Sequence, residues 1–140
     1  YNMLYYVYHN KDNIQKKKVK FIDYGASHKL ESNILFGPGE LGTAGYMARE
    51  MYDGFITFQG DIYSLGVSML EIWFGDIWST ESNKYSECRE NVLSYMKLLD
   101  KDNPSLHKII KKCIHPSYEK RPLIKTVNKD IHNWIEEYNN

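Results

Sequence analysis

The stretch VKFIDYG, residues 19–25, is the part of the chain from which the fold can be worked out. Its first four residues are mostly β-branched or aromatic, which predicts a short strand. The strand leads to one carboxylate, Asp23, at a break in the chain that Gly25 permits. An acid at the tip of a buried strand is poorly solvated unless it meets a cation, and Mg²⁺ prefers a few hard oxygen ligands. Two interpretations follow, an ordinary Asp-Tyr-Gly turn or a metal-binding acid.

The composition of the 140-residue chain is that of one globular domain, with 42% apolar and 26% charged residues. The formal net charge is zero, so we expect no nucleic-acid partner and no membrane partner. Cys88 and Cys113 match no metal-ligand spacing, which favours free thiols in a reducing, cytoplasmic compartment over a disulfide. Because the chain opens with Tyr1 and not with Met, we expect it to be a fragment.

Residues on both sides of this stretch complete a small β unit. The segment MLYYV, residues 3–7, is apolar and aromatic and predicts the partner strand of a hairpin. Polar residues 9–15 predict a long turn, and Lys16 to Lys18 are expected to lie in a solvated turn that leads into the second strand. Residues 23–50 show little periodicity and contain several glycines, which is typical of a functional or disordered segment.

Downstream residues predict helices. The segment DIYSLGVSMLEIWF, residues 61–74, is apolar on nearly all sides, so this helix should lie buried in the middle of the domain, with Gly75 as its C-cap. Further helices are predicted at about 87–99, from Asn103-Pro104 to before Pro116, and from near Pro122. The expected fold is α+β and mainly α, a short β-hairpin followed by a helical bundle around one buried helix.

In this order, the segments resemble the C-terminal lobe of a eukaryotic-type (Ser/Thr) protein kinase domain. That family shows Asn-x-Leu at the end of its catalytic loop, then Asp-Phe-Gly, Gly-Thr-x-x-Tyr-x-Ala-Pro-Glu, a central buried helix and an Arg-Pro pair. The matching segments here are NML at 2–4, DYG at 23–25, GTAGYMARE at 42–50, DIYSLGV at 61–67 and RP at 121–122. Each is a weak signal alone, but five in the family's order are specific.

The resemblance implies catalytic and cofactor-binding roles for four residues. Asn2 and Asp23 would supply oxygen ligands to the Mg²⁺ ions that bridge the phosphates of ATP. Leu4 would lie under the adenine ring, although an ordinary strand residue would look the same. Thr43 would position the substrate hydroxyl, although Thr beside glycine is also common in turns.

Three further residues would have structural roles. Glu50 and Arg121 would form a buried ion pair that ties the activation segment to the helical core; the simpler alternative is two unrelated surface charges. Asp61 would accept hydrogen bonds from the backbone of the catalytic loop. As an acid near a helix N-terminus it also has a capping explanation.

The chain departs from the family's pattern at Tyr24, where Phe is usual, and at Arg49, where Pro is usual. A rival alignment places the catalytic-loop Asn at Asn13. That alignment leaves nine residues before Asp23 for two strands and a turn, and it puts Tyr8 where the catalytic Asp belongs. Asn2 is therefore the preferred position.

The catalytic Asp, the glycine-rich phosphate loop and the strand lysine of the family have no counterpart in the sequence. We therefore expect residues 1–140 to be a partial kinase domain, the C-lobe from the end of the catalytic loop onward, without its N-lobe and inactive alone. The complete protein would transfer the γ-phosphate of ATP to Ser or Thr hydroxyls of a protein substrate, since the pair Gly42-Thr43 favours this class. The alternative is a non-catalytic, kinase-like (pseudokinase) interaction module.

Overall fold

A computed structural model describes residues 3–31, 34–37, 42–78 and 83–139. The fold is mixed and contains more helix than strand, with most of the strands in the first part of the chain and most of the helices in the second. In chain order they are β1 (Met3–His9), β2 (Gln15–Phe21), β3 (Ile34–Phe36), α1 (Arg49–Tyr52), β4 (Phe55–Thr57), α2 (Phe58–Phe74), α3 (Tyr85–Asp102), α4 (Pro104–Cys113), a 3-10 turn (Tyr118–Lys120) and α5 (Ile124–Tyr138).

Strands β1 and β2 form the predicted antiparallel hairpin, with Met3 opposite Phe21 at one end and His9 opposite Gln15 at the other. The turn is held by the side chain of Asn10, whose Oδ1 accepts hydrogen bonds from the backbone N–H groups of Asp12 at 3.1 Å and Ile14 at 2.8 Å. Both strands are longer than predicted. Lys16 to Lys18 consequently belong to β2 and not to the turn, which corrects the sequence-based expectation.

The hairpin is exposed, so the prediction that Asp23 follows a buried strand was wrong. Val19 is 56% exposed and Phe21 is 61% exposed, and the two strands contact chiefly each other. A β-rich, apolar sequence establishes that a strand forms, but burial depends on what packs against its faces. Among the residues described, no element covers the apolar side chains of this hairpin.

A second, smaller sheet lies within and after the aperiodic segment. Strand β3 pairs antiparallel with β4, from Ile34 opposite Thr57 to Phe36 opposite Phe55, and the two phenylalanine rings are 5.1 Å apart. The sequence did not predict this sheet, because a three-residue strand is too short to show a period of two. The sheet places α1 and the start of α2 side by side.

Helix α2 runs through the centre of the core, as its all-round apolar sequence predicted. Tyr63, Val67 and Leu70 are buried, and α3, α4 and α5 surround them in the helical core. The approach of α4 is close at Gly66, where an added Cβ would lie 2.8 Å from the Cβ of Cys113. The site residues on α2 are therefore held on a rigid central element.

Helix α2 begins earlier than predicted because Thr57 caps it. The Oγ1 of Thr57 accepts a hydrogen bond from the N–H of Gly60 at 2.9 Å, so the first helical residue is Phe58. The predicted cap of α4 is present, since Asn103 Oδ1 accepts from Leu106 N at 2.9 Å and Pro104 follows it. Asp61 is not the N-cap, because Thr57 occupies that position, but it lies in the first turn of α2, where the helix dipole favours an acid as the sequence predicted.

Cys88 and Cys113 are both buried free thiols, as their spacing predicted. Burial raises the pKa of the Cys113 thiol to about 11. In the described parts of the chain, no helix has both the length and the apolar character that a bilayer crossing requires.

Candidate functional site

Asp23 lies two residues after the end of β2 and just before a tight turn. Its backbone adopts a φ of +60°, and among the described residues its Oδ1 accepts one long hydrogen bond, 3.4 Å, from the N–H of Gly25. The turn is closed by the N–H of Ser27, which donates to the carbonyl of Tyr24 at 2.9 Å. The carboxylate is therefore exposed and held in a defined direction by its backbone.

The chemistry of this carboxylate fits Mg²⁺. Asp23 offers hard oxygens that are nearly unused by the protein, and Mg²⁺ in phosphate sites takes one or two carboxylate or amide oxygens and leaves the rest to water and phosphate. Within the described ranges, no group of three or more His, Cys, Asp or Glu side chains could hold a metal by itself. A metal at Asp23 would accordingly depend on phosphate oxygens and on few protein ligands.

The hairpin separates the two candidate partners of Asp23. Asn13 lies in the turn at the far end, and the length of β2 puts roughly 20 Å between that turn and Asp23. Asn2 is outside the described residues, but its neighbour Met3 pairs with Phe21 at the end where Asp23 lies. This register disfavours Asn13 as a shared ligand. Leu4 lies opposite Lys20 and is 50% exposed, so its side chain is open to a ligand.

Glu50 and Arg121 form the predicted ion pair. Arg121 Nη1 donates to Glu50 Oε1 at 2.6 Å, and Arg121 Nη2 donates to Glu50 Oε2 at 3.0 Å. Both residues are buried, and they are 71 positions apart in the sequence. A bidentate arrangement of this kind is the strong form of the interaction, because both partners are charged and shielded from water.

The remaining donors of Arg121 are used by backbone carbonyls, which offset part of the cost of burying a charge. Its Nε donates to the carbonyl of His115 at 2.8 Å and its Nη1 also donates to that of Gln59 at 2.9 Å. The guanidinium carbon lies 5.0 Å from the centre of the Tyr63 ring, at cation–π distance. Thr57 adds a weak donor to Glu50 Oε1 at 3.4 Å. The pair thus joins α1, β4, α2 and the turn before α5.

Thr43 and Asp61 are both exposed, in contrast to the buried ion pair. The carbonyl of Thr43 accepts from the N–H of Tyr46 at 3.2 Å, so Thr43 opens a turn. Desolvation by the surrounding protein raises the pKa of Asp61 above its usual 3.8, although part of this side chain reaches solvent. No described residue makes a hydrogen bond to the Asp61 carboxylate.

Sequence reasoning missed a second polar cluster, which fixes Tyr46. The Tyr46 hydroxyl donates to Glu71 Oε2 at 2.6 Å, and Ser64 Oγ donates to the Tyr46 carbonyl at 2.8 Å. The signal that could have revealed it is Glu71, the one acid among residues 62–74 of α2. An acid at such a position requires a partner if it is to be partly buried.

A family profile described as "Protein kinase domain" matches residues 5–135. The chain belongs to the protein kinase domain family.

Curated relatives include Calcium-dependent protein kinase 6 of Plasmodium berghei, 27% identical over 126 residues that cover 86% of this chain and 8% of that protein. Serine/threonine-protein kinase WNK8 of Arabidopsis thaliana is 31% identical over 122 residues, 81% of this chain and 20% of its own length. Serine/threonine-protein kinase WNK3 of Mus musculus is 28% identical over 116 residues, 76% of this chain and 6% of its own length. The chain therefore spans a fifth or less of each of these three kinases.

The two departures from the family's pattern have structural explanations. The hydroxyl that Tyr24 adds donates to the carbonyl of Phe21 at 3.1 Å, so this polar group has a partner. Arg49 is the first residue of α1, and its exposed side chain lies 3.9 Å from the carboxylate of Asp53. Both side chains, Tyr24 and Arg49, are exposed.

Proposed function

We propose that this chain is the C-lobe of a Ser/Thr protein kinase domain in a longer protein, which transfers the γ-phosphate of ATP to hydroxyl groups of a protein substrate. The observation that carries the proposal is the buried Glu50–Arg121 pair, because it ties the segment that ends at Glu50 to the helical core. The sequence pattern of residues 42–50 and the profile match support the same conclusion. In the longer protein, the N-lobe of the kinase domain would be the partner of the exposed hairpin.

In this proposal the residues at the end of the hairpin hold the nucleotide. Asp23, with Asn2, would hold Mg²⁺, which neutralises charge on the phosphates during transfer. Leu4, exposed on the strand that pairs with β2, would support the adenine ring. Thr43 would orient the substrate hydroxyl, and Asp61 would accept hydrogen bonds from the catalytic-loop backbone, which would offset its desolvation.

The test compares Asp23→Ala with a matched control in the complete protein. Asp12 is the other exposed acid of the hairpin, located in the turn at its far end, so Asp12→Ala removes a similar charge from the same unit. Asp23→Ala should abolish phosphoryl transfer and leave the helical core folded, whereas Asp12→Ala should leave transfer within about twofold of wild type. Wild-type turnover in Asp23→Ala would show that Asp23 is not the metal ligand.

A pseudokinase interaction module is the second candidate. Tyr24 and Arg49 depart from the pattern of the catalytic family. A complete protein that neither binds Mg²⁺–ATP in calorimetry nor transfers phosphate would establish this candidate over the first.

We also propose a reducing, cytoplasmic location. Cys88 and Cys113 are buried free thiols, which a cytosolic protein retains. Titration of freshly isolated, denatured protein should find both thiols reduced, and an intermolecular or internal disulfide there would contradict this location.

A further inference from the structure

The loop after α2 is fixed at three successive residues. The N–H of Trp78 donates to Asp76 Oδ1 at 2.9 Å, which closes a small turn. Between these two residues, Ile77 is fully buried in the helical core. The backbone of Trp78 is thereby held, and its indole has a defined direction.

The indole of Trp78 begins a chain of hydrogen bonds that ends on a carboxylate. Its Nε1–H donates to the hydroxyl of Tyr46 at 3.2 Å, and this hydroxyl donates to Glu71 Oε2 at 2.6 Å. The rings of Trp78 and Tyr46 meet edge to face at 5.4 Å. Successive hydrogen bonds polarise one another, and the final acceptor is charged, so each bond strengthens the next.

The same indole lies against the backbone of Gly45. A Cβ added at Gly45 would be 2.6 Å from Cη2 of Trp78, and Gly45 has a φ of +91°, a conformation that favours glycine. On its other side, the N–H of Gly45 donates to the hydroxyl of Tyr52 at 3.3 Å. Gly45 is held between two aromatic side chains that come from different elements.

We propose that Trp78 is a positioning residue for residues 42–48, which on the proposed function are the part of the chain that faces the protein substrate. It acts through Tyr46 and Gly45 and not by touching the reacting groups. The inference rests on the proposed function only for its consequence in catalysis. The restraint on the segment itself can be measured without any activity.

The first test measures amide hydrogen exchange in the complete protein carrying Trp78→Phe. This variant lacks the donor to Tyr46 and also the distal ring atoms of the indole, Cζ2, Cζ3 and Cη2, that lie against Gly45. Loss of one hydrogen bond should raise exchange at Gly45 and Tyr46 about fivefold, with exchange in the buried turns of α2 unchanged. The matched control is Trp73→Phe, because Trp73 Nε1 also donates to a carboxylate, Asp102 Oδ2 at 2.7 Å, at a site remote from the segment.

A double-variant cycle separates positioning from packing. Tyr46→Phe removes the middle of the hydrogen-bond chain, so adding Trp78→Phe to it should have almost no further effect on exchange at Tyr46, whereas exchange at Gly45 should still rise because the ring contact is lost. Additive effects of the two substitutions at Tyr46 would overturn the proposal. Unchanged exchange at Gly45 and Tyr46 in Trp78→Phe, or an equal rise there in Trp73→Phe, would also overturn it.

The second test measures kinetics with a Ser/Thr peptide. Trp78→Phe should raise the KM for the peptide about fivefold, while kcat and the KM for ATP stay within about twofold of wild type. Equal losses in kcat for Trp78→Phe and Trp73→Phe would assign Trp78 a merely structural role and overturn the inference. If the complete wild-type protein transfers no phosphate, the proposed function fails, and the exchange measurements alone decide the role of Trp78.

Discussion

The apolar side chains of the helices and those of the hairpin lie in different surroundings. In α2 and the helices around it, Val67, Leu70 and Ile110 are fully buried. In the hairpin, the apolar side chains of Val19 and Phe21 are more than half exposed. An exposed apolar surface of this extent is typical of an interaction site. Burial within this chain therefore stabilises the helices, whereas the apolar residues of the hairpin contribute little to the stability of the chain.

The largest effect should come from the ion pair of the helical part. Arg121→Ala leaves Glu50 as a buried charge without its main partner, so the free energy of unfolding should fall by about 3–5 kcal/mol. Urea unfolding followed by circular dichroism measures this change. Arg49→Ala is the matched control: the exposed Arg49–Asp53 pair, at 3.9 Å, should contribute about 0.5 kcal/mol or less. Equal effects of the two substitutions would break the contrast between buried and exposed positions.

A pair of apolar truncations tests the contrast directly. Leu70→Ala should cost about 2–5 kcal/mol, because the side chain is fully buried and its removal leaves a cavity. Phe21→Ala removes a larger side chain from the hairpin but should cost about 0.5 kcal/mol or less in this chain, because Phe21 is 61% exposed. Denaturant unfolding of both variants gives the comparison. A cost above 2 kcal/mol for Phe21→Ala would show that the hairpin is buried by this chain after all.

A substitution that crowds the contact between α2 and α4 should have a smaller effect on stability. Gly66→Ala would place a methyl group 2.8 Å from Cys113 Cβ, so the helices must move apart at a cost of about 1–3 kcal/mol. Ser68→Ala on the same helix is the control, since it removes only a hydroxyl that donates to the Ser64 carbonyl at 2.8 Å. Thermal unfolding should show a lower Tm for Gly66→Ala than for Ser68→Ala, and the reverse order would contradict this packing.

The smallest effect concerns Asp61 and depends on pH. Its raised pKa means that the folded chain holds the proton of Asp61 more tightly than the unfolded chain. Protonation of Asp61 therefore favours folding below pH 3.8, and this stabilisation is lost as the pH rises through the folded pKa. Asp61→Asn should therefore stabilise the chain at pH 7 by about 0.5 kcal/mol or less, given its partial exposure, and by less at pH 3. Equal effects at both pH values, by urea unfolding, would exclude desolvation as the cause.

The helices were predictable from the sequence because their signals are local. The apolar residues of α2 recur over four turns, and the pair Asn103-Pro104 marks the start of α4 within two residues. Strand β3 was not predictable, because three residues carry no period and its partner β4 lies about 20 positions further along. Burial of the hairpin was predicted wrongly, because a strand pattern contains no information about what covers it.

The site was predictable only for residues that belong to the sequence motifs of the family. The Glu50–Arg121 pair came from the resemblance, since charges 71 positions apart give no local signal. The capping role of Thr57 was not predicted, because the sequence pattern placed the start of α2 at Asp61 and not at Phe58. Trp78 lies in a loop, and nothing in the sequence indicates that its indole contacts Gly45.

The separation of Glu50 from Arg121 has a consequence for the order of folding. Bringing together residues 71 positions apart costs loop-closure entropy, whereas the turns of α2 and the contacts of α3 with α4 close over much shorter distances. The pair should therefore form after the folding transition state, so Arg121→Ala should accelerate unfolding more than it slows folding. Stopped-flow measurements at varied urea would resolve the two rates, and a change confined to the folding rate would place the pair in the nucleus. A late-forming contact of this kind makes the segment that ends at Glu50 the last part of the core to become ordered and the first to be released.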